Sequence, residues 1–159
     1  MAPTWLHIQV ELEGSTRIEC DPPPGRILAV GPTHTFLQLA AAIDDAFARW
    51  DVAHLHAFEL PGGRLVGLPD AHASDWLDHG ALAVADALAP GDRFTYTFDL
   101  AESWRHRCQV LEGLVDPLAE YGAEPARPAI VWGWGWIPDQ YGRGTEGEGF
   151  EPSMDEKRP

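Results

Sequence analysis

Residues 91–110 read GDRFTYTFDLAESWRHRCQV, and this stretch decides the fold class. Phe94, Tyr96 and Phe98 alternate with Thr95, Thr97 and Asp99, the period of a strand with one buried face. Aromatic and β-branched side chains suit such a pleated, half-buried surface. Arg105, Arg107 and Gln109 alternate with His106, Cys108 and Val110, which predicts a second strand. Asp99 to Ser103 then joins the two as a hairpin loop, and Pro90-Gly91 stops whatever precedes them.

Outward from this hairpin the same period recurs. Leu6, Ile8, Val10 and Leu12 alternate with His7, Gln9 and Glu11, and Gly14-Ser15 reads as a turn. Arg17 to Cys20 is expected to return as a second strand. Prolines 22 to 24 break any ladder, because proline lacks the N–H, and Arg26 to Val30 resumes a short strand. After Gly31-Pro32 the period turns helical. Phe36, Leu39, Ala40, Ile43 and Phe47 fall on one face, and Thr35 with Gln38 has capping-box spacing. Asp44, Asp45 and Arg49 lie off that stripe and are expected to be solvated. His54 to Leu60 alternates again, and Pro61-Gly62-Gly63 leads to a partner strand from Arg64 to Leu68. Pro69 to Gly80 is polar and irregular, with Ser74 or Asp75 placed to cap one turn. Leu82 to Leu88 reads as a short helix, and Pro117 to Pro128 as a linker. Strands joined by hairpins around one main helix predict an α+β domain, its curved and largely antiparallel sheet packed on that helix plus a short second one.

The chain has 159 residues, enough for one domain with its own core. The expected ordered domain is 1–141. Residues 142–159 are Gly-rich, charged and without apolar period, and are expected to be a disordered acidic tail. The net charge of −14 argues against nucleic acid, which needs clustered cations, and against an anionic membrane surface. No run approaches the ~18 apolar residues of a membrane span, and Met1 to Val10 does not read as a signal peptide. With only Cys20 and Cys108 there is no disulfide framework, so a cytoplasmic setting is expected. There is no phosphate-binding loop, since Glu146 and Glu148 would repel a phosphate from the glycines around them.

Three constellations offer chemistry. His54 and His56 share a face of one predicted strand, and His106 is a natural third ligand for a divalent metal such as zinc. The opposing reading makes them half-buried strand histidines, and no resident cofactor is expected. Asp99, Glu102, Trp104 and His106 form a second cluster, in which a carboxylate would orient an imidazole or merely brace a hairpin. Trp132, Trp134 and Trp136 alternate with Gly133 and Gly135, so an extended chain puts the indoles on one face and leaves the other bare. They would then be either core or a stacking platform.

Taken in order, His54-Leu-His-Ala-Phe58, Leu88 to Asp99 and Trp104-Arg-His106 resemble a known pattern. It is that of the plasmid ORF-three-like family, small bacterial and archaeal proteins of which some are labelled insertion-element passenger or resolvase-like. The resemblance covers Leu6 to Gly142. Members often carry an acid and a cysteine where this chain has Gln140 and Tyr141, and the Pro-x-x-Trp-Arg segment is reduced to Arg17. The resemblance therefore implies a fold rather than a reaction.

The expected function is a cytoplasmic binding module for an unidentified protein or small molecule. Its groove would be lined by His54, His56, Phe58, Tyr96, Asp99, Trp104 and His106, with Trp134 nearby. A metal-dependent hydrolase using His54, His56 and His106 is the alternative. The third reading is a mobile-element accessory protein acting on DNA.

Overall fold

The alternating stretches become strands because each has apolar side chains for one face only. The computed structural model describes residues 4–49, 51, 54–69 and 75–140. In chain order the elements are β1 (Leu6–Gly14), β2 (Gly25–Val30), α1 (Phe36–Ala46), β3 (His56–Glu59), β4 (Leu65–Gly67), β5 (Leu77–Asp78), α2 (Val84–Ala87), β6 (Arg93–Phe98), β7 (Trp104–Val110), α3 (Pro117–Tyr121) and β8 (Ala129–Trp134). Among the described residues the strands form one 8-stranded sheet in the order β5-β4-β3-β6-β7-β1-β2-β8. Every pairing is antiparallel except β4 with β5. The expected α+β architecture is the one found.

Register decides what faces the helix. Val66, Phe58, Tyr96, His106 and Leu12 are successive cross-strand partners, and all are fully buried. The next row is His56, Phe98 and Trp104. Cross-strand partners share a face, so both rows lie on the face under α1, with His56 half-buried at the end of the second. That helix begins as its spacing predicts. The Thr35 hydroxyl accepts from the Gln38 N–H at 3.2 Å, and the Gln38 side chain accepts from the Thr35 N–H at 2.9 Å. Phe36, Leu39, Ala40, Ile43 and Phe47 are all buried.

Four local expectations need correction. Arg17 to Cys20 is not a strand, for Ser15 and Ile18 close a turn and only Glu19 bridges Gly14. The chain returns as β2 instead. The linker from Pro117 contains α3, started by the Asp116 carboxylate accepting from Leu118 N–H and ended by Gly122 at φ 76°. Asp44 and Arg49 are not solvated but buried, whereas Asp45 is exposed. The indoles are not core under α1. Trp134 pairs with Gly25 and Trp132 with Ile27 on the outer face, and Gly133 pairs with the inward Arg26. The Arg26 guanidinium lies 5.6 Å from the Phe47 ring centroid and donates to the Gly25 and Trp134 carbonyls. Trp136 is 42% exposed. Ser74 and the expected tail 142–159 lie outside the described residues.

Candidate functional site

The site begins on α1. An α-helix turns about 100° per residue, which sets Asp44 beside Ala40 at the edge of the apolar stripe. There it meets β6. The Tyr96 hydroxyl donates to Asp44 Oδ1 at 2.7 Å. Asp44 is 6% exposed, and loss of water raises its pKa from 3.8 to about 7, against the opposing pull of the Tyr96 hydrogen bond and the Arg49 charge. Burial and the carboxylate beside it hold the Tyr96 phenol well above its ordinary pKa.

Asp44 lines a cleft of about 380 Å³ with Leu37, Ala40, Ala41, Asp45, Arg49, His54 and His56. Among the described residues its second oxygen, Oδ2, has no hydrogen-bond partner, and it is not one of the side-chain atoms sealed from solvent without one.

Arg49 stands on the same wall but its guanidinium is committed. Nε donates to the Phe47 carbonyl at 2.9 Å and Nη2 to the Pro138 carbonyl at 3.0 Å. The group lies 4.4 Å from the Trp104 ring centroid, and Nη1 is sealed from solvent without a hydrogen bond. Burial lowers its pKa to about 10, resisted chiefly by Asp44 and then Asp139, so it remains a cation at neutral pH.

Two histidines stand at the mouth. His54 has Nε2 3.4 Å from Asp51 and Nδ1 3.6 Å from Asp99. His56 shares a 2.8 Å hydrogen bond between its Nε2 and Nδ1 of His79, which ties β3 to the turn after β5. Desolvation lowers the His79 pKa.

The remaining expected groove residues do not line the cleft. Phe58, Tyr96, Trp104 and His106 are sealed core side chains, part of an aromatic cluster that includes Phe36 and Phe47. His106 Nδ1 faces the Tyr96 carbonyl at 3.0 Å. Burial pushes its pKa down to about 3, so it is a neutral core histidine. Asp99 shapes its hairpin, its carboxylate accepting from the Ala101 and Glu102 N–H groups. Trp134 lies on the other face of the sheet, its ring against Gly25. The expected metal trio therefore does not gather. Among the described residues no three or more His, Cys, Asp or Glu are placed to hold a metal ion. Neither cysteine is activated, since burial raises both thiols.

Sequence reasoning missed Asp44, Arg49 and His79. A weak signal existed for the first, a carboxylate at the margin of an apolar helical stripe. Nothing local marked the other two.

The sequence model for plasmid pRiA4b ORF-3-like proteins matches residues 5–138. The chain belongs to this family. The pRiA4b ORF-3-like match spans β1 to β8 and the cleft, and it ends before Gln140 and Tyr141, where the sequence departs from the expected motif. No curated protein matches the chain. A crystal structure of a protein of unknown function from Methanosarcina mazei Go1 is similar, with 24% identity and a TM-score of 0.63. The likeness covers 84% of this chain and 70% of that one. At that identity it carries the fold. Among the described residues no helix is long and apolar enough to cross a membrane.

Proposed function

We propose that this pRiA4b ORF-3-like protein is a small-molecule-binding module whose ligand occupies the cleft between α1 and the start of β3. One observation carries the reading. Asp44, only 6% exposed, lines the recess with one carboxylate oxygen that has no hydrogen-bond partner among the described residues. Buried polar groups are ordinarily satisfied, and an acceptor left open in a concave site suits a ligand donor. The volume, about 380 Å³, lies within the roughly 300–1,000 Å³ typical of small-molecule sites. Leu37, Ala40 and Ala41 supply apolar wall, while His54 and His56 add polar edges at the mouth.

The test is a titration followed by amide NMR, using a panel of small amines, carboxylates and nucleosides. Ala41 is exposed on α1, so Ala41→Trp fills the cleft without entering the core. Saturable shifts at Leu37, Ala41 and His56 that Ala41→Trp abolishes are the expected result. A panel giving no saturable shift there, or shifts indifferent to Ala41→Trp, would overturn the reading.

A further inference from the structure

The polar atoms left open in the cleft are not an even mixture of donors and acceptors. Arg49, the cation on its wall, has Nε and Nη2 bonded to backbone carbonyls and Nη1 sealed from solvent. An anion entering the cleft therefore finds most of the guanidinium already committed. His56 has Nε2 engaged by His79, and both nitrogens of His54 stand near carboxylates, those of Asp51 and Asp99. The carboxylate oxygens that line the cleft without a hydrogen-bond partner among the described residues are Asp44 Oδ2 and those of the exposed Asp45. All are acceptors.

From this geometry we infer that the cleft takes a primary alkylammonium group, with the ammonium on Asp44 Oδ2 and the alkyl stem along Leu37, Ala40 and Ala41. This inference rests on the cleft being the ligand site. Three features select that chemistry. A charge-assisted N–H···O bond offsets the water that Asp44 loses on burial. Oδ1 already holds the Tyr96 hydroxyl, so one carboxylate oxygen faces the ligand. A guanidinium fork seeks two oxygens in parallel, whereas an ammonium pairs as a point charge with a single oxygen and leaves its other N–H groups to water. Leu37 is 45% exposed, and a stem crossing it removes apolar surface from water. The net charge of −14 draws cations toward the molecule as a whole.

Charge linkage adds a signature. The groups facing Asp44 are the Tyr96 hydroxyl from β6 and Arg49 beyond α1, with Asp45, His54 and His56 around the recess. Because Asp44 titrates near neutral pH, a cation that requires the ionised carboxylate displaces about half a proton at pH 7.

The ammonium could belong to a free amine or to a lysine side chain, and two probes separate these sources. Calorimetric titrations at 150 mM salt would use 1,5-diaminopentane and Nα-acetyl-lysine N-methylamide, with n-butylguanidine as the fork-shaped control. At least one amine should bind about ten-fold more tightly than the guanidine. The tighter amine names the source. Asp44→Asn, which keeps an acceptor for Tyr96, should weaken amine binding at least about ten-fold and remove the buffer-dependent proton release. Asp45→Asn at the exposed rim should weaken it only about two- to three-fold. Ala41→Trp should abolish it.

Amine binding that Asp44→Asn leaves unchanged would overturn the inference, as would tighter binding of the guanidine. If the wider panel yields an Ala41→Trp-sensitive ligand that is a carboxylate or nucleoside while both amines fail, the inference falls and the cleft reading stands. If amines bind equally to Ala41→Trp, both fall.

Discussion

Two buried titratable groups hang on the same tyrosine and behave differently. His106 meets the backbone of Tyr96, with Nδ1 3.0 Å from its carbonyl. Asp44 meets its side chain, accepting the hydroxyl at 2.7 Å. Loss of water favours the neutral form of each, taking His106 down to about 3 and Asp44 up to about 7. Yet His106 is sealed among Phe47, Tyr96 and Leu12, while Asp44 lines a cleft with one oxygen that has no hydrogen-bond partner among the described residues. A perturbed pKa therefore does not by itself mark a site. Burial with an open polar atom does so better than burial alone.

The comparison predicts opposite consequences of substitution. His106→Ala opens a cavity in the central row of the core and should cost about 3 kcal/mol in urea unfolding. The folded protein should retain its amine affinity. Asp44→Asn should cost less than about 1 kcal/mol, since Tyr96 keeps an acceptor, while affecting the ligand strongly. Equal stability losses for the two variants would break the distinction.

A second test comes from the opposite face. A methyl group on Gly25 would stand 2.2 Å from the Trp134 ring. Gly25→Ala should therefore cost about 2 kcal/mol by overpacking. Trp134 carries a carbonyl that holds Arg26, and Arg26 lies over Phe47, so the disturbance should reach the His106 side of the core. Unchanged Asp44 titration in this variant would sharpen the contrast. A shifted Asp44 would show that the two groups share one mechanical unit.

The pH dependence of stability separates them further. Between pH 3.8 and about 7 the native protein retains an Asp44 proton that the unfolded chain releases, so this group makes stability fall as pH rises. Between about 3 and 6.5 the unfolded chain binds a His106 proton that the native protein refuses, so this group makes stability rise with pH. Each slope is at most about 1.4 kcal/mol per pH unit, and over their shared interval the two oppose. Asp44→Asn removes only the first. Its stability relative to the parent should climb with pH across that interval, measured as urea midpoints at successive pH values. A flat difference would mean that Asp44 titrates normally.

A last test concerns the start of α1. Thr35→Ala removes one half of the capping box and should cost about 1 kcal/mol. Because α1 carries Asp44 and β7 carries His106, ligand affinity should fall slightly while the His106 limb of the pH profile stays in place. Circular dichroism melts and the same titrations would check both.

Much of the fold was legible. Leu6 to Leu12, Phe94 to Phe98 and Trp104 to Val110 announce themselves by alternation, and α1 by its stripe and the Thr35–Gln38 pair. β5 was not, because two residues gain strand identity only by lying parallel to β4. Within the candidate site, His54 and His56 were visible as an i, i+2 pair at one cleft. His106 was wrongly grouped with them, since its cross-strand neighbour is Tyr96 and not His56. The alternation of the indoles was readable, but pairing with Gly25 and Ile27 put Trp134 and Trp132 on the face away from α1.

Local periodicity therefore determined the elements, the antiparallel class and the capped helix, because these depend on neighbours a few positions away. Motif order pointed to the family. Tertiary structure decided which groups are sealed and which are open. Asp44 is held because Tyr96, 52 positions later in the chain, arrives beneath α1 with its hydroxyl. Arg49 is silenced by the Pro138 carbonyl, 89 positions away. Solvent access and hydrogen-bond partners depend on register between distant strands, and no periodicity along one segment encodes that register.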